Sequence, residues 1–331
     1  MISVNFFHRK PRKGFNFSIE QIFERIRKEL EGSINSRVLF SQCYNTGYWS
    51  KLVNILEARR MQGAGVDHIT GEIHYLNLLM KPHRVVLTIH DCRMVQRKSG
   101  VARHFVKWLY LDGPVKRSAI VTTVSRNTKN EIIKYTGCDP LKIRIIYNPI
   151  SSIFKANPKP FASNCCHILQ IGTGPNKNLD RLIPALHNIN CVLTIVGKLT
   201  GQQVELLKKF NINYTNVSNI SNEELYECYR ACDILTFIST FEGFGMPIVE
   251  AQAVERVVIT SNCSSMPEIA GDGACLVDPY NIEDIRSGFL KIITDFKYRT
   301  QLIERGRENR KRFDVQAIAK EYLNVYQELS Y

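Results

Sequence analysis

The sequence predicts an α/β protein built from two Rossmann-like domains, each a doubly wound parallel sheet covered by helices. Three observations predict this class. Short apolar, β-branched runs alternate with amphipathic helical stretches along the whole chain, a pattern typical of parallel sheets. At 331 residues, the chain is longer than one hydrophobic core usually supports. A stretch rich in Ser, Pro, Lys and Asn after Pro149 divides the alternation into two series.

The first domain is predicted to cover residues 1–150 and to contain six strands. Between the strands, residues 18–31 place apolar side chains at intervals of three and four, which predicts an amphipathic helix, and Tyr48–Met61 is a second helix candidate. The strand candidates are short β-branched runs: Val4–Phe7, Val38–Ser41, Val66–Ile69, Val85–Ile89, Ile120–Val124 and Ile143–Tyr147.

The second domain is predicted to cover residues 151–314, after a linker that runs to Asn164. A last amphipathic helix, within residues 315–331, is expected to pack back on the first domain. Because ligands of doubly wound sheets bind outside the carboxyl ends of the strands, we expect the two domains to face each other across a cleft. The strand candidates of this domain are Ile168–Ile171, Val192–Val196, Ile212–Val217, Ile234–Ile238 and Val257–Thr260.

Charge is distributed unevenly between the two halves. Residues 1–150 contain 25 Lys and Arg against 11 Asp and Glu, whereas residues 151–331 contain 19 against 20, so the first half accounts for the whole net charge of +13. Such an excess fits an anionic partner, either nucleic acid, an anionic membrane surface or a phosphorylated substrate; the alternative is a solvated basic face. With 44% hydrophobic and 23% charged residues, the composition excludes a disordered or fibrous chain.

Cysteine usage and hydropathy indicate the cellular setting. The ten cysteines fall at irregular places, several of them in apolar runs, and no Cys-x-x-Cys pair occurs, so we expect buried thiols and no zinc site. The chain opens on a short apolar segment that turns basic at once, and no apolar run reaches the length that spans a bilayer. These observations predict a cytoplasmic protein that at most rests on the cytoplasmic face of the inner membrane.

The strongest chemical signal is the segment Phe241–Ala251, which reads FEGFGMPIVEA and follows an apolar strand candidate. It combines a glycine-rich turn with the start of a helix. Gly243 and Gly245 permit backbone conformations and close ligand approach that a side chain would prevent, and Pro247 suits the first turn of a helix. The amides exposed at such a helix start can hold a diphosphate.

Two glutamates, Glu242 and Glu250, flank this turn. Glu250 falls about one turn into the helix, where its carboxylate could accept hydrogen bonds from adjacent hydroxyls of a ribose. Glu242 precedes the turn and is expected nearer the reacting group. The alternative is a loop glutamate and a helix-capping glutamate, with glycines that merely close the turn.

The segment with its two glutamates resembles the donor-site signature of the retaining glycosyltransferases of family 4, the group 1 glycosyltransferases, which have the GT-B fold. The resemblance continues over residues 257–262 (VVITSN), 265–274 (SMPEIAGDGA) and 276–279 (LVDP). It implies a hexosyltransferase that moves a sugar, with retention, from a nucleoside-diphosphate sugar to a hydroxyl of a glycan or an undecaprenyl-diphosphate-linked acceptor. Members of this type build bacterial lipopolysaccharide, capsule or exopolysaccharide. The implied site has Glu242 as a catalytic residue that orients the sugar, with donor contacts from Gly243, Phe244, Gly245, Met246 and Glu250.

A second loop, residues 171–178 (IGTGPNKN), precedes another helix candidate. In the family a basic pair in this loop grips the donor diphosphate, and Lys177 matches its lysine. The ammonium group of a lysine is suited to offset the negative charge that grows on a departing diphosphate. The resemblance implies donor contacts from Gly172, Thr173, Asn176 and Lys177, with Lys177 also catalytic. Asn176 or Thr173 stands where arginine is frequent, so the second diphosphate contact stays open; the alternative for Lys177 is a plain surface lysine.

In the first domain, His90 and Asp91 directly follow a strand candidate. They resemble the family's cleft histidine and its neighbour, which implies a catalytic role for His90 near the donor sugar and an acceptor-side place for Asp91. A histidine satisfied within the structure is the alternative. His68 and His74, at another strand-to-helix turn, are further candidate acceptor contacts.

The basic loop of residues 8–17, between the first strand and the first helix, differs from the glycine-paired loop of many family members. Gly14 could still let the backbone approach the donor phosphate, whereas the four basic residues of this loop could equally meet an acceptor phosphate. The resemblance implies metal-independent chemistry without a cofactor, because no Asp-x-Asp type of metal site is present. The basic first half fits a lipid-diphosphate acceptor.

Two other functional classes remain as alternatives. A sugar-nucleotide epimerase or a phosphorylase also uses two Rossmann-like domains, but neither resembles the pattern of the two glutamates. A nucleic-acid-binding protein is supported only by the isoelectric point near 9.3, and no recognised RNA or DNA module accompanies it. We therefore expect no nucleic-acid partner.

Overall fold

The structure is a computed structural model that describes residues 1–11, 18–96 and 98–330. The chain divides into two compact units, one formed by Met1–Pro149 with Asp314–Tyr331 and the other by Ile150–Phe313. Each unit contains one six-stranded sheet. Within the described residues, every helix is too short or too polar to cross a bilayer.

The first unit contains six strands and seven α-helices in its described part. The strands are β1 (Ile2–His8), β2 (Ile34–Phe40), β3 (Val66–Ile69), β4 (Val85–Ile89), β5 (Ile120–Thr123) and β6 (Ile143–Ile145). The helices are α1 (Ser18–Glu29), α2 (Tyr48–Met61), α3 (Arg93–Gln96), α4 (Gly100–Lys107), α5 (Gly113–Lys116), α6 (Arg126–Thr136) and, at the end of the chain, α14 (Val315–Glu328). A π-helical turn, Trp108–Asp112, joins α4 to α5.

The strands of the first unit are all parallel and lie in the order β2-β1-β3-β4-β5-β6. Strands β3, β4 and β5 are buried at every position, which explains the nearly continuous runs of apolar and β-branched residues in β4 and β5, whereas β3 also buries Asp67 and His68. Helix α14 packs against α1, and the ring of Tyr322 lies 5.6 Å from the ring of Phe23. The last helix of the chain therefore completes the hydrophobic core of the first unit.

The second unit contains six parallel strands in the order β12-β11-β10-β7-β8-β9. The strands are β7 (Cys166–Ile171), β8 (Cys191–Val196), β9 (Tyr214–Val217), β10 (Ile234–Phe237), β11 (Val257–Ser261) and β12 (Cys275–Val277). The α-helices are α7 (Leu179–Ala185), α8 (Gly201–Lys209), α9 (Asn222–Ala231), α10 (Met246–Ala253), α11 (Met266–Ala270), α12 (Ile282–Thr294) and α13 (Phe296–Asn309).

Each sheet has one position where the chain reverses its direction of travel across the sheet. In the second unit, the chain leaves β7 toward β8 on one side and later returns to β10 on the other side of β7. In the first unit, β1 and β3 are the corresponding neighbours. Loops at the carboxyl ends of such strands diverge and leave a crevice for a ligand. The loops after β7 and β10 contain the two donor motifs of the sequence.

The predicted fold class is confirmed, since both sheets are parallel and helical segments connect their strands. Each strand candidate corresponds to a strand, although the boundaries differ: β2 begins at Ile34 instead of Val38, Ile143–Tyr147 ends two residues earlier and Ile212–Val217 begins two residues later than predicted. Strand β12 is missing from the prediction. Its three residues form an edge strand too short for a periodic signal.

Candidate active site

The loops that follow β7 and β10 are bonded to each other. The Thr240 amide donates to the Asn176 carbonyl oxygen at 2.9 Å, and Asn176 Nδ2 donates to the Phe241 carbonyl oxygen at 3.1 Å. The buried Asn178 donates from Nδ2 to the carbonyl oxygens of Ile238 and Pro279, at 3.2 and 2.7 Å. The loops after β7 and β10, more than 60 residues apart in the sequence, are thus held together where the chain reverses its direction across the sheet.

Lys177 and Glu242 form an ion pair within this block. The distance from Lys177 Nζ to Glu242 Oε1 is 2.6 Å, and both side chains are less than one-fifth exposed. Asn176 Nδ2 donates to the same carboxylate oxygen at 2.9 Å, and Lys177 Nζ also lies 4.3 Å from the ring centroid of Phe237. The structure therefore brings together the lysine and the first glutamate of the two sequence motifs, with Asn176 between them.

Gly172 makes room for the lysine side chain. Its φ is +87°, and a Cβ at this position would lie 2.8 Å from Lys177 Cε and 3.1 Å from Lys177 Cγ. The aliphatic part of the lysine therefore lies directly over the glycine. The next residue, Thr173, does not bond to Lys177 or Glu242 through its hydroxyl. Its Oγ1 donates to the Lys198 carbonyl oxygen at 2.7 Å.

Serines after β11 hold the glycine-rich turn in place. Ser264 Oγ and Ser265 Oγ donate to the Glu242 carbonyl oxygen at 2.8 and 3.0 Å, and Ser265 Oγ also lies 2.6 Å from the Phe244 carbonyl oxygen. The Glu242 amide donates to Ser264 Oγ at 3.2 Å. The sequence analysis assigned no role to these serines, and the only signal was their place at the end of a third adjacent strand.

Helix α10 begins directly after this turn. Its N-cap residue is Gly245, with φ of +122°, and no side chain caps the first amides. The first amides of a helix lack intrahelical partners and can bind an anion. In α10, Pro247 has no N–H and the Ile248 amide donates to the Gly245 carbonyl oxygen at 3.0 Å, so fewer amides than usual are left for an anion. Met246 and Pro247 are the first residues of the helix, so this end lies beside Gly243 and Phe244 of the turn.

Glu250 lies one turn into α10 and is bonded by a tyrosine of α9. Tyr229 donates from its hydroxyl to Glu250 Oε2 at 2.7 Å, and its side chain is wholly buried. Burial, followed by the charge of Glu250, raises the pKa of Tyr229 well above its usual range, so the hydroxyl keeps its proton. Tyr229 therefore fixes one oxygen of the carboxylate. The sequence analysis missed this residue because it lies in an ordinary amphipathic helix.

In the first unit, His90 follows β4 and is half-buried. Its Nε2 lies 2.9 Å from the Thr70 carbonyl oxygen, which can only accept, so Nε2 carries the hydrogen. Burial lowers the pKa of His90, and the hydrogen bond to the Thr70 carbonyl oxygen and nearby carboxylates offset this only in part. The ring is therefore neutral at pH 7, and its Nδ1 is an acceptor. Asp91 accepts at Oδ1 from the Arg93 amide at 2.9 Å, at the start of α3.

His8, at the end of β1, supports the same corner of the first unit. Arg27 Nη1 donates to His8 Nε2 at 3.1 Å, because a guanidinium has only donors. Thr70 Oγ1 donates to the Phe7 carbonyl oxygen at 3.0 Å and therefore accepts from His8 Nδ1 at 2.9 Å. These bonds orient Thr70, whose carbonyl oxygen in turn binds His90.

His68 and His74 differ from the expectation that they face an acceptor. His68 lies within β3 with no exposed surface, and its ring nitrogens bond Tyr326 Oη at 2.8 Å and Thr88 Oγ1 at 2.7 Å. His74 lies in a buried 3-10 turn with Nδ1 bonded to the Tyr110 carbonyl oxygen at 2.8 Å, and burial lowers its pKa to about 4. Both are core residues, because β3 and the following turn are covered on both faces.

Gly14 lies outside the described residues, so its predicted donor contact stays a prediction. Within the described part of the chain, no group of three or more His, Cys, Asp or Glu side chains is arranged to hold a metal ion. The ten cysteines are free thiols, five of them buried.

Comparisons with known proteins match both units. The family model of group 1 glycosyl transferases matches residues 167–309, and that of glycosyltransferase family 4 matches residues 35–152. O-antigen chain mannosyltransferase B of Escherichia coli is 31% identical over 302 residues, which cover 82% of this chain and 78% of that protein.

One further relative and one solved structure are informative. The N-acetylgalactosamine-N,N'-diacetylbacillosaminyl-diphospho-undecaprenol 4-alpha-N-acetylgalactosaminyltransferase of Campylobacter jejuni is 25% identical over 217 residues, 62% of this chain and 60% of that protein. The crystal structure of Anabaena Alr3699/HepE in complex with UDP and glucose has a TM-score of 0.79 at 15% identity, covering 99% of this chain and 100% of that chain. The latter likeness concerns the fold, which is therefore GT-B.

Proposed function

Because this chain belongs to the group 1 glycosyltransferases, we propose that it transfers a hexose from a nucleoside-diphosphate sugar to a hydroxyl of a glycan or lipid-linked acceptor, with retention of configuration. The E. coli relative is an O-antigen mannosyltransferase, which supports a role in the synthesis of a surface polysaccharide such as lipopolysaccharide, capsule or exopolysaccharide. The C. jejuni relative is named for an acceptor linked to diphospho-undecaprenol, which supports a lipid-diphosphate acceptor for this chain.

The observation that carries the proposal is the pairing of Lys177 with Glu242 beside the uncapped start of α10. A cation and a set of helix-end amides are the groups that hold a diphosphate. In the proposed complex, Lys177 and these amides bind the diphosphate of the donor. Glu250, oriented by Tyr229, accepts hydrogen bonds from the ribose hydroxyls.

The chemical step breaks the bond between the anomeric carbon and the diphosphate oxygen, and the electron pair leaves with the phosphate. The acceptor oxygen forms the new bond on the same face of the sugar, and its proton passes to the departing phosphate oxygen. The anomeric carbon passes through an oxocarbenium-like state, as in glycoside hydrolysis. Lys177 stabilises the charge that develops on the diphosphate. Glu242 orients the sugar and does not attack it.

His90 has a separate role in the proposed reaction. Because its Nε2 hydrogen is committed to the Thr70 carbonyl oxygen, its Nδ1 can accept a hydrogen bond from a hydroxyl of the sugar or of the acceptor. Its lowered pKa keeps this acceptor available at neutral pH. Asp91 would lie on the acceptor side of the same strand end.

The proposal is tested first by donor binding. UDP-, GDP-, ADP- and dTDP-sugars are screened by thermal shift against wild type, Glu250→Ala and the exposed control Glu304→Ala, because a ligand that binds the folded state raises its melting temperature. One donor should stabilise the wild type and the control but not Glu250→Ala. A folded wild-type protein that responds to none of the four donors would contradict the nucleotide-sugar proposal.

Transfer is then measured with the donor so identified. Glu242→Gln should lower the transfer rate sharply while the melting temperature stays close to that of wild type, since glutamine keeps the size of the side chain and its Oε1 can still accept from Lys177 and Asn176. Full activity in Glu242→Gln would exclude the orienting role. The anomeric configuration of the product, read by NMR, decides between retention and inversion.

A further inference from the structure

Helix α2 has apolar side chains on two opposite faces. One face, with Ile55 and Ala58, is buried against the first unit. The other presents a stripe at the helical spacing of three and four residues, and every member is exposed: Tyr48, Trp49, Leu52, Val53 and Leu56. Trp49 is 80% exposed and Tyr48 is 74% exposed. A helix that covers a core needs only one apolar face, so the second is unexplained by folding.

A second exposed stripe adjoins the first. None of the residues of α4 is buried, and Val101, Phe105 and Trp108 follow one another at intervals of four and three along α4 and the π-helical turn. The ring of Phe105 lies 5.8 Å from the ring of Tyr48, in an edge-to-face arrangement. The two stripes therefore form one continuous patch, which we call the α2/α4 surface: Tyr48, Trp49, Leu52, Val53, Leu56, Val101, Phe105 and Trp108.

Positive charge surrounds this patch. Residues 91–112 contain five Lys and Arg against two Asp, and one of these, Asp112, pairs with Lys107 at 2.9 Å. Lys98 and Arg103 are exposed beside the α4 stripe, and Arg59 and Arg60 are exposed at the end of α2. The one carboxylate of α2, Glu57, is bonded to the Gln42 amide at 2.9 Å. An occupant of the α2/α4 surface must therefore be apolar at its centre and anionic at its rim.

We propose that the α2/α4 surface docks on the interface of an anionic phospholipid bilayer. Tryptophan and tyrosine rings are favoured at the level of the lipid head groups, and leucine, valine and phenylalanine enter the outer acyl region. Lys and Arg at the rim pair with anionic head groups. A second copy of the chain fits this surface poorly, because two identical surfaces would bring their basic rims together.

The position of the surface agrees with a lipid-linked acceptor. Helix α2 follows the carboxyl end of β2, and α3 and α4 follow the carboxyl end of β4. Tyr48 and Trp49 are in the first turn of α2 and are therefore at the edge of the sheet where His90 and Asp91 lie. This part of the inference rests on the proposed function. The docking itself does not, since it concerns a separate surface with its own measurement.

The two tryptophans of the chain, Trp49 and Trp108, both lie on this surface, so tryptophan fluorescence, excited selectively over that of the tyrosines, reports on it alone. The full chain is mixed with phosphatidylcholine vesicles or with vesicles in which one third of the lipid is phosphatidylglycerol. We expect a blue shift of emission and flotation of the protein with the anionic vesicles only. Added salt should weaken the binding, because it screens the contacts between the basic rim and the head groups.

Three variants test the residues. Trp49→Ser with Phe105→Ser removes two exposed rings and should lower the partition constant by roughly tenfold or more. Lys98→Glu with Arg103→Glu should remove the preference for anionic lipid. Phe296→Ser is the matched control, since Phe296 is 73% exposed in the second unit. Melting temperatures of all variants show that they are folded, and Phe296→Ser should float like wild type.

Each other outcome overturns the proposal. If anionic vesicles produce neither flotation nor a blue shift, docking is excluded. Undiminished flotation of the Trp49→Ser/Phe105→Ser variant would show that the contact with the bilayer lies elsewhere on the chain. A blue shift without vesicles that grows with protein concentration, together with a dimer in light scattering, would assign the surface to a second copy. Transfer to a water-soluble acceptor is measured in parallel, so that a failure of the proposed transferase activity is separated from a failure of docking.

Discussion

Substitution of Gly172 by alanine tests whether the loop after β7 is built to hold Lys177. The added Cβ would lie 2.8 Å from Lys177 Cε, which is closer than Cβ atoms approach their neighbours in folded proteins, and 3.1 Å from Cγ and 3.3 Å from Cδ, which are tight contacts. All three nearest atoms belong to one flexible side chain. The lysine, and not the backbone, must therefore move, and its Nζ would leave the position 2.6 Å from Glu242.

The cost has two parts that can be separated. The φ of +87° at Gly172 is unfavourable for alanine by about 1–2 kcal/mol. Displacement of the lysine into a less favourable rotamer adds about 1 kcal/mol. Together these amount to about 2–3 kcal/mol and should lower the melting temperature by roughly 4–12 °C, given the size of the second unit. Loss of a charged donor to the diphosphate should weaken donor binding by roughly 10- to 100-fold.

The matched control is Gly174→Ala in the same loop. The φ of Gly174 is −63°, and its added Cβ would meet only Asn176 Oδ1, at 3.4 Å. It should change stability by less than about 0.5 kcal/mol. Combining Gly172→Ala with Lys177→Ala removes the atoms that clash but keeps the backbone strain. The stability cost of Gly172→Ala should then fall by about 1 kcal/mol relative to its cost in the wild-type background.

Urea denaturation and donor titration calorimetry of five proteins decide the matter: wild type, Gly172→Ala, Gly174→Ala, Lys177→Ala and the double variant. The reasoning is refuted if Gly172→Ala is as harmless as Gly174→Ala, since the positive φ and the contact with Lys177 would then not matter. An equal cost of Gly172→Ala with and without the Lys177 side chain would refute the steric part alone. Unchanged donor affinity in Gly172→Ala would show that the position of Lys177 does not contribute to binding of the diphosphate.

Three further predictions concern single contacts. Lys177→Met should lower the transfer rate about 10²- to 10³-fold in a steady-state assay, because the leaving diphosphate loses its cation; a change of less than threefold would contradict this role. Tyr229→Phe removes the 2.7 Å bond to Glu250 and should weaken donor binding by roughly tenfold in calorimetry, whereas unchanged affinity would show that Glu250 needs no orientation. Burial and Arg27 lower the pKa of His8 from 6.5 to about 3, so only the unfolded chain takes up this proton as pH falls below 6.5. The contribution of neutral His8 to stability is therefore complete above pH 6.5 and is lost toward pH 3. Between pH 7 and pH 5, His8→Asn should lose about 2 kcal/mol less stability than wild type in urea denaturation. Equal losses of stability in the two proteins would disprove the lowered pKa.

The sequence predicted most of the fold because its strands are buried on both faces. A strand such as β4, Val85–Ile89, is buried at every position and contains a single polar residue, the β-branched Thr88, so it stands out as an apolar run between polar turns. Edge strands follow weaker rules. β9, Tyr214–Val217, is exposed at its middle residues, and its start was predicted two residues too early. The order of the strands rests on long-range pairing, which no local pattern encodes.

The same burial explains the error at His68. His68 was predicted to lie at a strand-to-helix turn where it could meet an acceptor, yet it lies within β3 and the structure satisfies both ring nitrogens with Tyr326 and Thr88. Tyr326 comes from the far end of the chain, so this partner could not be read from the neighbouring sequence. Ser264, Ser265 and Tyr229 were missed for the related reason that hydroxyl-bearing residues are common and carry no local signature.

The ion pair between Lys177 and Glu242 gives the proposed site a definite polarity. A lysine ammonium group has three donors, so Lys177 can keep its bond to Glu242 and still donate to a phosphate oxygen. The two anions would then lie on either side of one cation, which offsets their mutual repulsion. As the glycosidic bond to the diphosphate breaks, negative charge grows on the phosphate and positive charge on the anomeric carbon. Under the proposed function, the Lys177 ammonium group would face the negative charge on the phosphate, and the Glu242 carboxylate would face the positive charge on the anomeric carbon. Replacing Glu242 by glutamine removes the favourable sign on the sugar side but leaves Lys177 to the diphosphate, so donor affinity should hold or rise while the transfer rate falls.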